Sequence, residues 1–129
     1  MLMLPVSAPA LAAQSPAPTP RQLRAGDLDT IPLRDTGRRI AYGDDSLQFG
    51  DLRLPPRLAR DARAPIAIVV HGGCWISACA SLRKTAALAD SLAAEGVATW
   101  NVEYRRSDSP GGGWPGTMLD VARATDYLR

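Results

Sequence analysis

Two adjacent glycines that follow an apolar run are the feature of this sequence with the clearest chemical potential. The segment reads Val69-Val70-His71-Gly72-Gly73-Cys74-Trp75. Ligands in open α/β sheets bind just beyond the carboxyl ends of the strands, and paired glycines let backbone N–H groups approach a substrate oxygen closely. Acyl transfer needs such donors because negative charge develops on the carbonyl oxygen in the transition state. The segment therefore predicts an anion-stabilising turn.

The glycine segments also allow other interpretations. An ordinary strand-to-loop turn at Gly72-Gly73 stays open as an alternative. Gly73-Cys74-Trp75 is also similar to the surroundings of a papain-type catalytic cysteine, but that enzyme needs a histidine far downstream, and His71 is the sole histidine. Gly111-Gly112-Gly113 is not followed by Lys-Ser or Lys-Thr, which excludes a Walker-type nucleotide site. One histidine and two close cysteines disfavour zinc, so we predict no metal site and no cofactor.

The two cysteines, Cys74 and Cys79, lie in this same segment. In an exported protein they can pair, and a disulfide across so short a loop would brace the turn around Trp75. Because the sequence gives no Cα separation, two free thiols are an equal alternative.

The elements that must position the glycine turn follow from hydrophobic periodicity. They are, in order, strands at 39–42 and 47–54, a strand at 66–70, a helix at 81–95, a strand at 97–104 and a helix at 117–129. The first two strands form an antiparallel hairpin, with an irregularity at Gly50. The run Ile66–Val70 is continuously apolar and mostly β-branched, which predicts a strand buried on both faces. A strand–helix–strand unit implies a right-handed parallel crossover, so the predicted class is α/β.

Local signals predict how the helices begin and end. Ser81 is expected to cap the first helix, and Gly96 to end it. Asp120 lies three residues after Thr117, which fits an acidic capping box at the start of the second helix. The two tryptophans outside the glycine turn, Trp100 and Trp114, are predicted to be core residues.

Residues 1–37 are predicted to be a signal-peptide-like, Pro-rich, disordered leader, and residues 38–129 the domain. The start is apolar with small residues, and Ala10-Leu11-Ala12 meets the requirement for signal-peptide cleavage before Ala13. This predicts a periplasmic or secreted protein; the alternative is a leader with no targeting role and a cytoplasmic protein. No apolar stretch reaches the roughly 20 residues that a membrane-spanning helix needs.

The charge pattern bears on partners. The net charge is +2, and the basic residues form pairs, Arg38-Arg39 and Arg105-Arg106, and no stripe. Nucleic-acid binding therefore has no electrostatic footprint. The expected partner is a small-molecule ester or amide substrate, and the sequence does not indicate an oligomeric state.

The segment His71-Gly72-Gly73-Cys74-Trp75 resembles the His-Gly-Gly-X-Trp oxyanion-hole motif of α/β-hydrolase esterases and of the kynurenine formamidase group. Three further segments resemble the same family in the same order: Tyr42-Gly43, residues 101–106, and residues 111–117 followed by Asp120. The resemblance implies the N-terminal part of an α/β-hydrolase fold with an incomplete sheet.

The resemblance also implies a role for each residue of the motif. The backbone N–H groups of Gly73 and Cys74 would point at the substrate oxygen, and Gly72 would shape the turn. His71 would support the loop by side-chain hydrogen bonding and would not be the catalytic base. Trp75 would pack beside the acyl site.

The family also needs a serine in a Gly-X-Ser-X-Gly elbow, then an acid, then a histidine. The sequence has no such elbow, and its sole histidine is His71. We therefore expect the Ser-Asp-His residues beyond Arg129 and no catalytic residue of that kind within the chain. The expected function is a carboxylic ester or aryl-formamide hydrolase of which this chain carries the oxyanion-hole half and is inactive alone. The alternative is a non-catalytic remnant or binding protein.

Overall fold

The computed structural model describes Gln22 and residues 24–59 and 61–129. Its elements are a 3-10 helix at Ala25–Thr30, strands β1 (Arg38–Ala41), β2 (Phe49–Arg53), β3 (Ile66–Val70) and β4 (Ala98–Val102), and helices α1 (Arg83–Ala94) and α2 (Gly116–Asp126). The α/β class and the order of hairpin, strand, helix, strand and helix are confirmed. Within these ranges no helix is long and apolar enough to cross a bilayer. The predicted cleavage site and the Pro-rich stretch lie outside the described residues.

In the described part of the chain the sheet has four strands, in the order β1-β2-β4-β3. β1 pairs with β2 and β2 with β4 in antiparallel fashion, whereas β3 and β4 are parallel. In the parallel pair Val70 lies opposite Val102. Both strands therefore end at the same edge of the sheet, which brings the glycine turn after β3 next to the residues that follow β4.

The core is built around Trp100 on β4, which is fully buried together with Val102 and Ala124. The indole Nε1–H donates to the Ala124 carbonyl at 2.9 Å, so the one polar atom of the ring is satisfied. The irregularity predicted at Gly50 is wrong, because β2 pairs there in continuous register with both β1 and β4. A Cβ at Gly50 would lie 2.6 Å from the Trp100 ring, so the glycine makes room for the indole. The prediction for Trp114 is wrong: its side chain is 82% exposed, because it lies in the loop before α2 and not between the layers.

The prediction that β3 is buried on both faces is also wrong. Val69 is buried, but Ile66, Ile68 and Val70 are 46%, 38% and 43% exposed. The reason is position: β3 is at the end of the sheet and, within the described residues, pairs with β4 alone. Its outer edge and one of its faces are open.

We expect this open edge to make the 129-residue chain self-associate, because an exposed apolar edge strand is a template for further strand pairing. Ile68→Lys is expected to shift the chain to the monomer on size-exclusion chromatography, since it places a charge on the strand. Leu88→Lys is the matched control, because Leu88 is an exposed leucine on α1. A wild-type chain that elutes as a monodisperse monomer would contradict the expectation, and so would an equal shift toward the monomer in both variants.

The start of α1 differs from the prediction, and its end agrees with it. Leu82, not Ser81, is the N-cap residue. The Ser81 hydroxyl accepts only a long 3.4 Å hydrogen bond from the Arg83 N–H, and the Leu82 N–H is satisfied by Glu103 Oε2 at 3.2 Å. Gly96 follows α1 with φ +94°, a left-handed conformation that suits glycine, so the predicted stop is confirmed.

Asp120 is not a capping residue. The N-cap of α2 is Pro115, and the Asp120 carboxylate is fully buried under the sheet edge. It accepts from Gln48 Nε2 at 2.6 Å and from Arg105 through Nε at 2.9 Å and Nη2 at 2.7 Å. Asp120 therefore ties α2 to the residue before β2 and to the loop after β4.

Residues 34–36, which the sequence assigns to the leader, are docked on α1 and β2. The buried Asp90 of α1 accepts from the N–H groups of Arg34 at 3.1 Å and Asp35 at 3.0 Å. From β2, the buried Arg53 donates to the carbonyls of Asp35 at 2.9 Å and Thr36 at 2.8 Å. These two side chains dock the segment, and nothing in its own local sequence signals them.

Candidate active-site loop

The loop after β3 holds three successive residues at positive φ: Gly73 at 130°, Cys74 at 55° and Trp75 at 62°. For the two that are not glycine such a conformation costs about 1–3 kcal/mol each. The N–H groups of Gly73 and Cys74 have no acceptor among the described residues. The two donors that the sequence singles out are therefore not used in hydrogen bonds within the described part of the chain.

Gly73 is required by its surroundings as well as by its φ. A Cβ there would lie 2.4 Å from the Cβ of Ala80 and 3.0 Å from the Ala80 N atom. At Gly72 a Cβ would meet nothing within 4 Å. The close approach of the chain to Ala80 and the positive φ therefore both demand a glycine at position 73, whereas space does not demand one at position 72.

The loop after β4 holds the glycine loop from the other side. The Trp75 carbonyl accepts from the Ser107 N–H at 2.9 Å and from the Ser107 hydroxyl at 2.6 Å. Asp108 accepts from the Ser77 N–H at 2.9 Å. The indole of Trp75 stays 42% exposed, so it is free to line a site above the loop.

His71 lies beneath the loop with a side chain that is only 1% exposed. Its Nδ1 is 2.8 Å from the Gly72 carbonyl oxygen, and its Nε2 is 2.8 Å from Glu103 Oε1. The ring stacks on Tyr104 with centroids 4.4 Å apart, and the Tyr104 hydroxyl donates to the His71 carbonyl. Both nitrogens of His71 are thus engaged inside the protein.

Glu103 is the centre of this buried cluster. Besides His71, its carboxylate accepts from Arg106 Nη2 at 2.8 Å, from the Tyr104 N–H at 3.1 Å and from the Leu82 N–H at 3.2 Å. Burial acts to raise the pKa of Glu103, but the hydrogen bonds from His71 and the two backbone N–H groups outweigh it and hold that pKa below its ordinary value. Glu103 is therefore a carboxylate at neutral pH.

The five residues of the predicted motif, His71 to Trp75, all lie in this loop, whereas the residues that hold them were not singled out from the sequence. Those are Glu103, Tyr104 and Arg106. One signal could have found them: the carboxyl ends of parallel neighbours meet at one edge, so residues that follow β4 must lie beside residues that follow β3.

Cys74 and Cys79 are free thiols, and both are exposed. Partial desolvation and the neighbouring Cys74 thiol raise the pKa of Cys79 above its usual value. A cysteine nucleophile needs the opposite shift, toward the thiolate. The structure thus has both thiols unpaired, and the disulfide between them stays a prediction for an exported protein in an oxidising compartment.

Comparison with known proteins gives a consistent result. A family described as BD-FAE matches residues 51–129. Esterase LipC of Mycobacterium tuberculosis is 34% identical over 92 residues, which are 71% of this chain and 22% of LipC. Two solved structures share the fold, each with a TM-score of 0.61 over 81% of this chain. They are a thioesterase-like protein from Silicibacter (22% identity, 37% of its chain) and a bacterial heroin esterase (24% identity, 33% of its chain).

Proposed function

The chain belongs to the BD-FAE family of esterase-like α/β-hydrolases, and from this premise we propose that its glycine loop is the oxyanion hole of a serine hydrolase acting on carboxylic esters or aryl formamides. The observation that carries the proposal is the pair of unpartnered N–H groups of Gly73 and Cys74 at the carboxyl edge of the sheet. An N–H aimed at the developing oxyanion is worth about 3 kcal/mol of barrier.

The substrate class follows from the chemistry of the site and from the relatives. Backbone donors stabilise the tetrahedral intermediate of any acyl transfer and do not select the leaving group. The names of LipC and of the heroin esterase refer to ester cleavage, which favours a small-molecule ester. No cofactor enters such a mechanism.

In the proposed enzyme the nucleophile, acid and base come from residues beyond Arg129. The chain spans 22% of the length of LipC and has no Gly-X-Ser-X-Gly segment. Its one histidine is buried with both ring nitrogens in contact with Glu103 and Gly72, so it has no nitrogen left to take a proton from a serine. A serine hydroxyl would attack the acyl carbon, a second histidine would take its proton, and the charge would form on the oxygen facing Gly73 and Cys74.

The second candidate function is non-catalytic: a remnant or binding protein that uses the same partial fold. The absence of a Gly-X-Ser-X-Gly segment from the sequence favours it. The two functions differ in whether the reading frame supplies a nucleophile beyond Arg129.

We expect hydrolysis of p-nitrophenyl acetate by the polypeptide extended through that reading frame, and none above buffer by the 129-residue chain. A serine-directed fluorophosphonate should label the extended protein and stop its turnover. Turnover by the 129-residue chain that the same reagent abolishes would place a nucleophile among residues 1–129 and contradict the proposal. A folded extended protein that is neither labelled nor active would favour the binding function.

A further inference from the structure

We infer that Glu103 is a positioning residue that acts through His71 to orient and polarise the peptide between Gly72 and Gly73. The inference deepens the proposed function and rests on it, because that peptide carries one of the two proposed oxyanion donors.

The geometry of one peptide unit supplies the first step. The carbonyl of Gly72 and the N–H of Gly73 belong to the same planar group, which is trans, as the one cis bond in the described residues is Trp114-Pro115. In a trans peptide the C=O and N–H point in opposite directions. His71 Nδ1 lies 2.8 Å from the Gly72 oxygen and holds it toward the buried side. The Gly73 N–H must then point outward.

The second step concerns the protons of His71. A carbonyl oxygen can only accept a hydrogen bond, and the same holds for the ionised carboxylate of Glu103. Its Oε1 also accepts hydrogen bonds from Arg106 Nη2 and from the Tyr104 N–H. Both contacts are hydrogen bonds only if His71 donates at both ring nitrogens, that is, as an imidazolium. A neutral ring would turn a lone pair either to Glu103 or to the Gly72 oxygen, and in the second case would release the peptide.

The third step is the effect on the donor. Hydrogen bonds in a chain polarise one another, most where the dielectric is low. The chain here runs from the Glu103 carboxylate through the imidazole to the Gly72 carbonyl, and across the peptide to the Gly73 N–H. A cationic donor on the carbonyl makes the N–H at the other end a stronger donor to an oxyanion.

Glu103 is itself held firmly enough for this task. Its backbone carbonyl accepts from the Tyr42 hydroxyl at 2.6 Å, and its carboxylate is fixed by the Leu82 N–H on the side away from His71. The residue is 2% exposed. A supporting shell with locked rotamers is what keeps catalytic geometry accurate.

The kinetic test is Glu103→Gln in the extended, active polypeptide. The amide keeps an acceptor and removes the charge. We expect kcat to fall by about ten- to a hundredfold, less than the ~10²–10³-fold that loss of a donor costs, with little change in KM because the effect acts on the transition state. Glu95→Gln is the matched control, since Glu95 is the other glutamate and is exposed at the end of α1; it should leave both constants unchanged.

The second readout is the ¹⁵N spectrum of the imidazole, with His71→Gln identifying the signals of His71. We expect two protonated ring nitrogens in the wild type and one bare nitrogen in Glu103→Gln. Glu103→Asp, which keeps the charge, should keep two protonated nitrogens. If Glu103→Gln does not fold, the wild-type spectrum still decides, because one bare nitrogen on His71 in the wild type overturns the inference.

The outcomes separate the inference from the proposed function. An extended wild type without turnover contradicts the proposed function, and the spectrum still decides whether His71 donates twice. With an active wild type, an unchanged kcat in Glu103→Gln overturns the inference. So does a lowered kcat with an unchanged imidazole spectrum, because Glu103 would then act only on the fold.

Discussion

Gly73→Ala is expected to lower kcat of the extended enzyme by about 10²–10³-fold with little change in KM, because it displaces donors that act on the transition state. Its Cβ would lie 2.4 Å from the Ala80 Cβ, and its φ of +130° is one that side chains rarely adopt. The peptide on which the oxyanion depends must therefore move. The measurement is steady-state hydrolysis of p-nitrophenyl acetate by variants whose circular dichroism matches the wild type.

Two further alanine variants separate the causes. In Gly72→Ala the added Cβ would meet nothing within 4 Å, so we expect a much smaller fall in kcat. Gly26→Ala, which is also open and lies in the 3-10 helix outside the glycine turn, is the neutral control. A folded Gly73→Ala enzyme with the kcat of the wild type would show that Gly73 is a turn residue and that the oxyanion is held elsewhere.

Asp120→Ala is expected to cause the largest loss of stability, about 3 kcal/mol, because it removes a buried anion that is the acceptor for the buried Gln48 amide and the partly buried Arg105 guanidinium. The Arg105 guanidinium and the Gln48 amide would both lose their acceptor. Asp126→Ala is the control on the same helix. Its side chain is 65% exposed and, among the described residues, forms an ion pair with the exposed Arg129 alone, so the loss of stability should not exceed about 1 kcal/mol. The measurement is the free energy of unfolding of both variants in urea. Equal losses in the two variants would contradict the role given to Asp120.

The same carboxylate gives the stability a pH dependence of defined sign. Burial acts to raise the pKa of Asp120, but hydrogen bonds from Arg105 and Gln48 outweigh it and hold that pKa below its ordinary value. The contribution of Asp120 is therefore fully present above the unfolded-state pKa of about 3.9 and is lost as the pH falls through the folded-state value. Asp120→Asn is expected to reduce the fall in the free energy of unfolding that the wild type shows at acid pH. If the fall is unchanged in the variant, other carboxylates cause it.

The sequence predicts those parts of the molecule that depend on neighbours along the chain. The alternation of apolar residues predicts the hairpin, the β-branched run predicts β3, and Gly96 ends α1 as expected, because each signal is local. The two glycines at the end of β3 likewise mark the loop by their position directly after the apolar run.

The failures share one physical cause, which is that burial and hydrogen bonding are decided by residues far apart in sequence. Asp120 suggests a capping residue next to Thr117, yet its acceptor oxygens are used by Gln48, 72 positions away. Ser81 suggests an N-cap, yet the Leu82 N–H is satisfied by Glu103, 21 positions away. The apolar run of β3 indicates burial, but its place at the end of the sheet leaves it open.

One carboxylate anchors both ends of the loop between β3 and α1. His71 at its start and the Leu82 N–H at its finish bind the two oxygens of Glu103, whereas residues 76–79 between them are exposed. The loop between β3 and α1 therefore has two fixed ends and an exposed central segment, which suits it to the grafting of other sequences. Exchange of residues 76, 78 and 79, with Ser77 kept for its hydrogen bonds to Asp108, would change the surroundings of Trp75 while the endpoints stay in register with the sheet. A library confined to these three positions therefore samples new selectivity on an unaltered frame.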